Sequence, residues 1–215
     1  MTGVSGKGVF ASVVRAEKDG SQYALKILRL TLDVMRESGE REKETVTLLN
    51  HVDPSESKSI IRLRDSFEFN SHLCLVYEAM EMNLRETLQK FGRGIGLSIE
   101  GVCLYGRQLF TALQLIHRLN YIHADLKPDN IMVSKDTKTI KLCDFGSAIQ
   151  LSETELMKTE HLVSPFYRPP EVILGIYPLD GGVDVWSAAV TLFELYVGKF
   201  MFAGTTNNQL IELIM

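Results

Sequence analysis

The first residues able to do chemistry lie in a glycine-rich segment near the N-terminus. Gly6-Lys7-Gly8 is followed by Ala11 and Val13, a near match to the pattern G-x-G-x-x-G-x-V. Small residues at these positions let backbone amides approach a polyphosphate closely. Ala11 replaces the third glycine and narrows the freedom of the backbone, and a plain glycine turn fits the segment equally well.

Lys26 stands in a short apolar run that is typical of a strand. A lysine that points inward from a strand needs a counter-charge or a phosphate, because an unpaired buried charge is costly. Taken alone, the triplet Ala24-Leu25-Lys26 fits a solvent-facing lysine better.

A more specific pattern spans residues 123–130. The run His-Ala-Asp-Leu-Lys-Pro-Asp-Asn matches H-x-D-L-x-x-x-N, with Asn130 five residues after Asp125. The triplet Asp-Phe-Gly begins at Asp144, nineteen residues after Asp125, and residues 167–171 resemble a segment that ends in A-P-E. Each piece alone also fits a structural role, but chance does not explain all of them in this order and at these spacings.

Together these motifs make the chain resemble a eukaryotic protein kinase domain over essentially its whole length. Arg168 after Tyr167, and residues 198–204 after the Asp184 helix, are similar to the CMGC group of kinases. Within that group the chain resembles the spliceosome-associated pre-mRNA-processing-factor-4 kinases. The segments that carry this resemblance are residues 6–10, 72–78, 82–86, 123–125, 142–148 and 206–208.

The resemblance implies transfer of the ATP γ-phosphoryl group to a protein hydroxyl, with Mg²⁺ as cofactor. It implies that Asp125 accepts the proton of the substrate hydroxyl and that Lys127 lies near the transferring phosphate. Asn130 and Asp144 would hold Mg²⁺, since a hard cation prefers oxygen ligands. By the same resemblance His123 and Asp184 are structural, Asp184 as an anchor of the catalytic-loop backbone.

The resemblance also implies a nucleotide site. Lys26 would contact the α- and β-phosphates and pair with a glutamate on a helix, for which Glu42 is the first choice and Glu44 the second. Apolar residues would enclose the adenine, and backbone groups of Glu78 and Met80 would orient it. Tyr77 would lie at the back of the pocket, and Asn83 would reach the ribose. The residues implied for ATP are Gly6, Lys7, Gly8, Val13, Ala24, Lys26, Tyr77, Glu78, Met80, Asn83 and Met132.

Composition narrows the classes of protein. The 215 residues carry a net charge of −4, which argues against direct binding to nucleic acid. Cys74, Cys103 and Cys143 are too few and too scattered for a disulfide framework or a zinc site. No apolar run is long enough to cross a membrane and the N-terminus does not resemble a signal peptide, so a reducing intracellular compartment is expected, and by resemblance the nucleus.

The order of elements predicts an α+β fold with two unequal lobes. Residues 23–28 and 73–77 read as strands, 37–50 as a helix with one buried stripe, and two longer apolar stripes near residues 109–116 and 186–197 as helices. Loops are expected at 91–96 and 179–182. We predict one kinase domain over 1–215, with a small antiparallel β N-lobe to about residue 79, a hinge at about 78–83, and an incomplete, mainly helical C-lobe over about 84–215.

Several positions depart from the wider kinase pattern. Ala124 replaces the usual arginine, as it does in the pre-mRNA-processing-factor-4 branch, while His161 and Pro165 stand where the relatives carry tyrosine and arginine. We expect from this that activity does not depend on a phosphotyrosine in this loop, where Ser152, Thr154, Thr159 and Ser164 are possible phosphorylation sites. For Ser164 we favour a structural contact to Asp125 or Lys127. The C-lobe looks truncated, which leaves Glu171 without its usual later arginine.

The leading functional hypothesis is a serine/threonine kinase that acts on splicing factors. One alternative is a truncated or degenerate kinase fold that binds nucleotide or partners without turnover. Another is a different CMGC kinase, either dual-specificity tyrosine-regulated or Clk-like. Oligomeric state is not predicted.

Overall fold

The computed structural model describes residues 4–7, 11–30, 32–154 and 162–215, of which 4–7 are described as backbone alone. The strands and helices below lie within these ranges, and they confirm the predicted α+β class.

The N-terminal part is a five-stranded antiparallel sheet with the order β1-β2-β3-β5-β4. Its strands are β1 (Val4–Lys7), β2 (Ala11–Lys18), β3 (Ser21–Arg29), β4 (Leu63–Phe69) and β5 (His72–Glu78). Asp19 and Gly20 join β2 to β3 with φ angles of 52° and 75°. An Asp-Gly pair adopts this left-handed backbone readily, and it closes the hairpin in register so that Val13 faces Lys26 across the ladder.

Helix α1 (Asp33–Val52) packs one face against this sheet. The buried residues on that face are Gly39, Glu42, Thr45, Val46 and Leu49. A Cβ atom at Gly39 would lie 3.1 Å from Leu73 Cδ2, so the glycine lets helix and sheet approach closely. Glu42 is the charged member of an otherwise apolar stripe, and it therefore needs a partner inside the protein.

The remainder of the chain is mainly helical. Its helices are α2 (Leu84–Phe91), α3 (Ile99–Arg118), α4 (Pro170–Ile173), α5 (Gly182–Val197) and α6 (Asn207–Ile214). This part also contains short strands: β6 (Met82–Asn83), β7 (Tyr121–Ile122), β8 (Ile131–Val133), β9 (Ile140–Leu142) and β10 (Ile149–Gln150). Among the described helices, none is both long enough and apolar enough to cross a membrane.

The predicted elements lie where expected, with shifted ends. The first helix runs from Asp33 to Val52, longer at both ends than predicted. The expected loops at 91–96 and 179–182 are each wrong by one residue. Phe91 is the last residue of α2, and Gly182 is the first residue of α5. One apolar core runs from the sheet through the segment after β9 to the long helices α3 and α5, and a second cluster packs residues of β7, β10, α4 and α5 against the segment around Tyr167. The exact lobe boundaries stay a prediction.

Candidate active site

Lys26, Glu42 and Asp144 meet at one point although they come from three separate segments. Lys26 lies on β3, Glu42 on the buried face of α1, and Asp144 in the loop after β9. The Lys26 Nζ donates to Glu42 Oε1 at 2.9 Å, to Glu42 Oε2 at 2.7 Å and to Asp144 Oδ1 at 2.9 Å. Glu44 is exposed to solvent. Of the two glutamates considered from the sequence, the structure therefore pairs Glu42 with Lys26.

These three groups set one another's ionisation. Burial lowers the pKa of Lys26, but Glu42 and Asp144 more than offset this effect and hold the pKa above its ordinary value. Burial also opposes ionisation of Asp144, yet Lys26 holds the pKa of Asp144 below its ordinary value. For Glu42 burial outweighs Lys26, and the pKa of Glu42 is raised. A positive Lys26 beside the ionised Asp144 suits a site for charged oxygen ligands.

Tyr77 closes the inner side of this cluster. It lies on β5, where it pairs with Ala24 of β3, and its hydroxyl donates to Glu42 Oε1 at 2.8 Å. Burial and the neighbouring Glu42 carboxylate raise the pKa of Tyr77 well above its ordinary value, so the hydroxyl keeps its proton. The sequence suggested Tyr77 as a residue at the back of the pocket, but it did not show the bond to Glu42.

Asp125 lies at the centre of a second cluster, which follows β7. Lys127 Nζ donates to Asp125 Oδ2 and to Ser164 Oγ, both at 2.8 Å, and Ser164 Oγ donates to Asp125 Oδ1 at 2.6 Å. Asn130 Nδ2 donates to the Asp125 backbone carbonyl at 2.8 Å and to its Oδ2 at 2.9 Å. The prediction that Ser164 contacts Asp125 or Lys127 is confirmed for both. These bonds orient the Asp125 carboxylate, and the side chain is 20% exposed, so the carboxylate is still accessible.

Asn130 and Asp144 offer oxygen atoms to a cation. The amide nitrogen of Asn130 is used by Asp125, and among the described residues no donor contacts its Oδ1. The Asp144 side chain is 44% exposed and its carboxylate is ionised. In the described ranges no three His, Cys, Asp or Glu side chains form a metal cluster. Two protein oxygens, completed by phosphate oxygens and water, are the ligand set that Mg²⁺ favours, so the residues present fit this ion.

Asp184 fixes the backbone ahead of Asp125. It lies in the first turn of α5, is fully buried, and accepts from the backbone N–H groups of His123 at 2.8 Å and Ala124 at 3.0 Å. Ala124 has a φ of 61°, a left-handed conformation that is uncommon for a residue with a Cβ. The role expected of Asp184 as an anchor is thus borne out by these bonds. His117 Nε2 lies 2.9 Å from Asp184 Oδ2, a contact that sequence reasoning missed.

His123 is part of the apolar core. It is fully buried, and its ring meets the Phe145 ring edge-on with centroids 5.1 Å apart. Val46 is also fully buried in this core, against which Leu63 packs. This packing agrees with the structural role expected for His123.

The residues expected around the adenine come from three strands and one loop: Val13 lies on β2, Ala24 on β3, Met132 on β8, and Met80 between β5 and β6. Val13, Ala24, Met80 and Met132 are half-buried, and Met132 pairs with Asn83 between β8 and β6. Asn83 was expected to reach a ribose, but its Oδ1 accepts from the backbone N–H of Glu86 at 2.8 Å and caps α2. A contact to ribose would therefore use the Asn83 amide nitrogen. Gly8 lies outside the described residues, and of Gly6 and Lys7 the structure describes the backbone in β1.

Known proteins similar to this chain point to one family. The model of the protein kinase domain family matches residues 2–215. The chain belongs to the protein kinase family. It is 43% identical over 212 residues to the serine/threonine-protein kinase prp4 of Schizosaccharomyces pombe, and 42% identical over 214 residues to the serine/threonine-protein kinase prpf4B of Dictyostelium discoideum. Each alignment covers 98% of this chain, but the chain spans 44% and 26% of the lengths of these relatives.

Other kinases of the CMGC group match with lower identity. The probable serine/threonine-protein kinase dyrk2 of Dictyostelium discoideum is 37% identical, and the dual specificity protein kinase YAK1 of Saccharomyces cerevisiae is 33% identical, each over 215 residues. These findings confirm the kinase recognition made from the motifs, including its affinity to the prp4-type kinases.

This kinase domain contains a buried charge cluster that sequence reasoning missed. Arg85 of α2 forms an ion pair with Glu194 of α5, and also contacts Asp129 at 3.2 Å and the Tyr167 hydroxyl at 2.5 Å. Tyr167 donates to Glu194 Oε2 at 2.6 Å. The Arg85 guanidinium further lies 5.2 Å from the centre of the Phe200 ring. The cluster ties two helices of the kinase domain to the segment that ends in Pro-Pro-Glu.

Lys141 of β9 holds the side chain of Glu78, the last residue of β5 and the first of the predicted hinge. Its Nζ donates to Glu78 Oε1 at 2.6 Å and Oε2 at 2.8 Å. The backbone N–H of Arg62 donates to Glu78 Oε1 at 2.8 Å, so the Glu78 side chain is fully engaged. The Glu78 backbone N–H is engaged as well, since it donates to the Arg62 carbonyl at 3.0 Å.

The segment after Asp144 has a mixed outcome. His161 and Thr159 lie outside the described residues. Ser152 is exposed, whereas Thr154 is fully buried and its hydroxyl donates to the Leu151 carbonyl at 2.8 Å. Phosphorylation at either residue stays a prediction. Ser164 is engaged with Asp125 as described above, which makes it a structural contact.

Three further predicted positions lie in or near this segment. Pro165 begins a short turn at Pro165–Tyr167, and the half-buried Glu171 has no side-chain hydrogen bond or ion pair within the described part of the chain. The Cys143 sulfur donates to the Asn130 carbonyl at 3.2 Å, and burial raises the pKa of this thiol, in keeping with a small packed residue.

Arg168 contacts the backbone just before Pro165, where Val163 has a left-handed conformation. Its Nε donates to the Leu162 carbonyl at 3.0 Å and its Nη2 to the Val163 carbonyl at 2.9 Å. Val163 has a φ of 65°, which a β-branched residue rarely adopts. The guanidinium contacts compensate for this strain and keep Ser164 in position for Asp125.

Proposed function

We propose that this kinase domain transfers the γ-phosphoryl group of ATP to serine or threonine hydroxyls of proteins. The observation that carries the proposal is a pair of adjoining clusters, Lys26–Glu42–Asp144 and Asp125–Lys127–Asn130. They are joined where the backbone N–H of Cys143, next to Asp144, donates to the Asn130 carbonyl at 3.0 Å. Catalysis of phosphoryl transfer consists mainly of positioning and charge neutralisation, and these clusters offer both.

The roles proposed for the residues follow from their contacts. Asp125 accepts the proton of the substrate hydroxyl. The hydroxyl oxygen forms a bond to the γ-phosphorus while the bond between that phosphorus and the ADP oxygen breaks. Lys127 holds Asp125 and offers its positive charge to the transferring group. Lys26 neutralises phosphate charge while Glu42 fixes its direction. Asn130 and Asp144 would hold Mg²⁺ through their side-chain oxygens, and the ion would supply positive charge to the phosphate oxygens.

The proposed nucleotide site combines backbone and apolar groups. Gly6, Lys7 and Gly8 would cover the phosphates, and the backbone of Glu78 and Met80 would orient the adenine. The engagement of the Glu78 side chain by Lys141 supports this arrangement, since it fixes the strand that leads into the hinge. The remaining residues proposed to contact the nucleotide are Val13, Ala24, Tyr77, Asn83 and Met132.

We further propose that the substrates are splicing factors and that the protein acts in the nucleus. The similarity to prp4-type kinases supports this assignment. A kinase fold that binds nucleotide without turnover is the alternative, and a dual-specificity CMGC kinase is a third candidate with lower identity.

The test is phosphoryl transfer from Mg·ATP to a serine-rich splicing-factor peptide by the purified 215-residue chain. Asp125→Asn removes the proton acceptor and Asp144→Ala removes a proposed metal ligand, while Asp19→Asn alters an exposed turn and serves as the matched control. We expect Asp125→Asn to lose at least about 100-fold in rate, the usual contribution of such a group.

Transfer that persists in Asp19→Asn and disappears in the other two variants would support the kinase assignment. A folded wild-type chain that binds Mg·ATP but transfers no phosphate would favour the alternative without turnover. Matched peptides that differ only in the acceptor residue separate the first candidate from a dual-specificity enzyme. The first candidate phosphorylates the serine or threonine peptide faster than the tyrosine peptide.

A further inference from the structure

Glu42 has a second donor besides Lys26, and it comes from a different strand. The Lys26 Nζ reaches both carboxylate oxygens from β3, at 2.9 and 2.7 Å. The Tyr77 hydroxyl reaches Oε1 from β5, at 2.8 Å. Glu42 is 1% exposed and Tyr77 is 7% exposed, so water does not substitute for either contact.

The hydroxyl of Tyr77 is well placed to act as a fixed point. Tyr77 pairs with Ala24 on β3 and with Leu63 on β4, so its backbone is held on both sides within the sheet. A buried tyrosine hydroxyl requires a hydrogen-bond partner, and Glu42 is the partner it finds. The bond therefore ties α1 to the rigid interior of the sheet at the residue that holds Lys26.

Lys26 is shared between two carboxylates, and this makes the orientation of Glu42 important. Its Nζ donates to Asp144 Oδ1 at 2.9 Å as well as to Glu42. If Glu42 were free to turn, Lys26 would follow whichever carboxylate offered the better geometry. The Tyr77 hydroxyl opposes that movement, because it donates to the same Oε1 that Lys26 contacts, and this oxygen cannot turn away from Tyr77 without losing a bond in a buried site.

We propose that Tyr77 is a positioning residue, whose hydroxyl locks Glu42 in the orientation that directs Lys26 toward the nucleotide phosphates. This inference rests on the proposed function, because it assumes that Lys26 contacts phosphate. It adds a role for the hydroxyl that is separate from the role of the ring as the wall of the pocket.

The role of the hydroxyl can be tested without turnover. Tyr77→Phe keeps the ring and removes the hydroxyl, and the matched control is Tyr105→Phe, where a buried hydroxyl donates to the Thr137 carbonyl at 2.8 Å away from the site. Affinities for Mg·ADP and for adenosine are measured by titration calorimetry. We expect Tyr77→Phe to bind Mg·ADP about 3- to 10-fold more weakly, the scale of one hydrogen bond, and to bind adenosine unchanged.

A double-mutant cycle with Glu42→Gln shows whether the effect passes through Glu42. In the Glu42→Gln background, Tyr77→Phe should cause no further loss of Mg·ADP affinity. Equal affinities of wild type and Tyr77→Phe for Mg·ADP would overturn the proposal, and so would a parallel loss of adenosine affinity or an additive effect with Glu42→Gln.

Failure of the proposed function gives a different result. A wild-type chain that binds Mg·ADP but transfers no phosphate would refute the kinase assignment, while the difference between Mg·ADP and adenosine would still decide the role of Tyr77. If turnover is present, Tyr77→Phe should lower kcat by more than it raises the KM for ATP, and Tyr105→Phe should change neither.

Discussion

Arg85 and Glu194 form an ion pair between α2 and α5 although they stand 109 residues apart in the sequence. The Glu194 side chain is 3% exposed and that of Arg85 is 20% exposed. Burial lowers the pKa of Arg85, but the hydrogen bond to Glu194 more than offsets it and holds this pKa above its ordinary value. Both partners contact the Tyr167 hydroxyl, so the pair holds the segment that carries Tyr167.

Removing Arg85 should therefore destabilise the fold. Arg85→Ala leaves Glu194 buried with the Tyr167 hydroxyl as its remaining donor, and loss of one partner from a buried pair costs about 3 kcal/mol or more. Urea unfolding at neutral pH measures the loss. Arg118→Ala, which removes an exposed arginine at the end of α3, is the control and should change the unfolding free energy by less than about 0.5 kcal/mol. Equal stability of Arg85→Ala and wild type would contradict this reading of the pair.

Asp184 should matter for stability through the backbone it holds. Asp184→Ala leaves the N–H groups of His123 and Ala124 without their acceptor, at a cost of about 1–3 kcal/mol for each buried group. Asp184→Asn keeps one carboxamide oxygen and should lose less. Thermal unfolding of the two variants checks the order wild type, Asn, Ala, and an alanine variant as stable as the asparagine variant would contradict it.

Ser164 should affect activity more than stability. Ser164→Ala removes the donor to Asp125 Oδ1 and the acceptor for Lys127, but the Asp125 backbone stays fixed by Asn130. We expect kcat to fall by about 10-fold, as when one positioning hydrogen bond is lost, while the midpoint of thermal unfolding stays within a few degrees. Ser21→Ala removes an exposed hydroxyl at the first residue of β3 and should leave both quantities unchanged.

Asp53 should make the fold sensitive to acid. Burial opposes its ionisation, but the backbone N–H groups of Lys58 and Ser57 donate to its carboxylate and hold the pKa of Asp53 below its ordinary value of 3.8. A carboxylate whose pKa is depressed by folding stabilises the protein above its unfolded pKa, and this contribution is lost as pH falls through the folded pKa.

Asp53→Asn should accordingly be less stable than wild type at pH 7, and the difference should shrink as the pH falls below 3.8. Urea unfolding at pH 7 and at a pH below 3.8 measures the difference in unfolding free energy between Asp53→Asn and wild type. Asp65→Asn alters an exposed aspartate on β4 and provides the comparison. A difference for Asp53→Asn that stays constant with pH would show that its carboxylate makes no such contribution.

The sequence by itself determined the α+β class, the family and the residues of the contiguous motifs. Asp125, Lys127 and Asn130 lie within six residues of one another, so their spacing alone brings them to one loop. The family resemblance also covers Asp184 and Ser164. It predicts that Asp184 holds the catalytic-loop backbone and that Ser164 contacts Asp125 or Lys127, and the structure shows both contacts.

Only the tertiary structure decided which distant side chains meet. It paired Lys26 with Glu42 and left Glu44 in solvent, because Glu42 lies on the face of α1 that packs against the sheet. It likewise brought Tyr77 to Glu42 and Arg85 to Glu194. These contacts depend on how helices and strands far apart in the chain pack together, and local patterns of residue type carry no information about that packing.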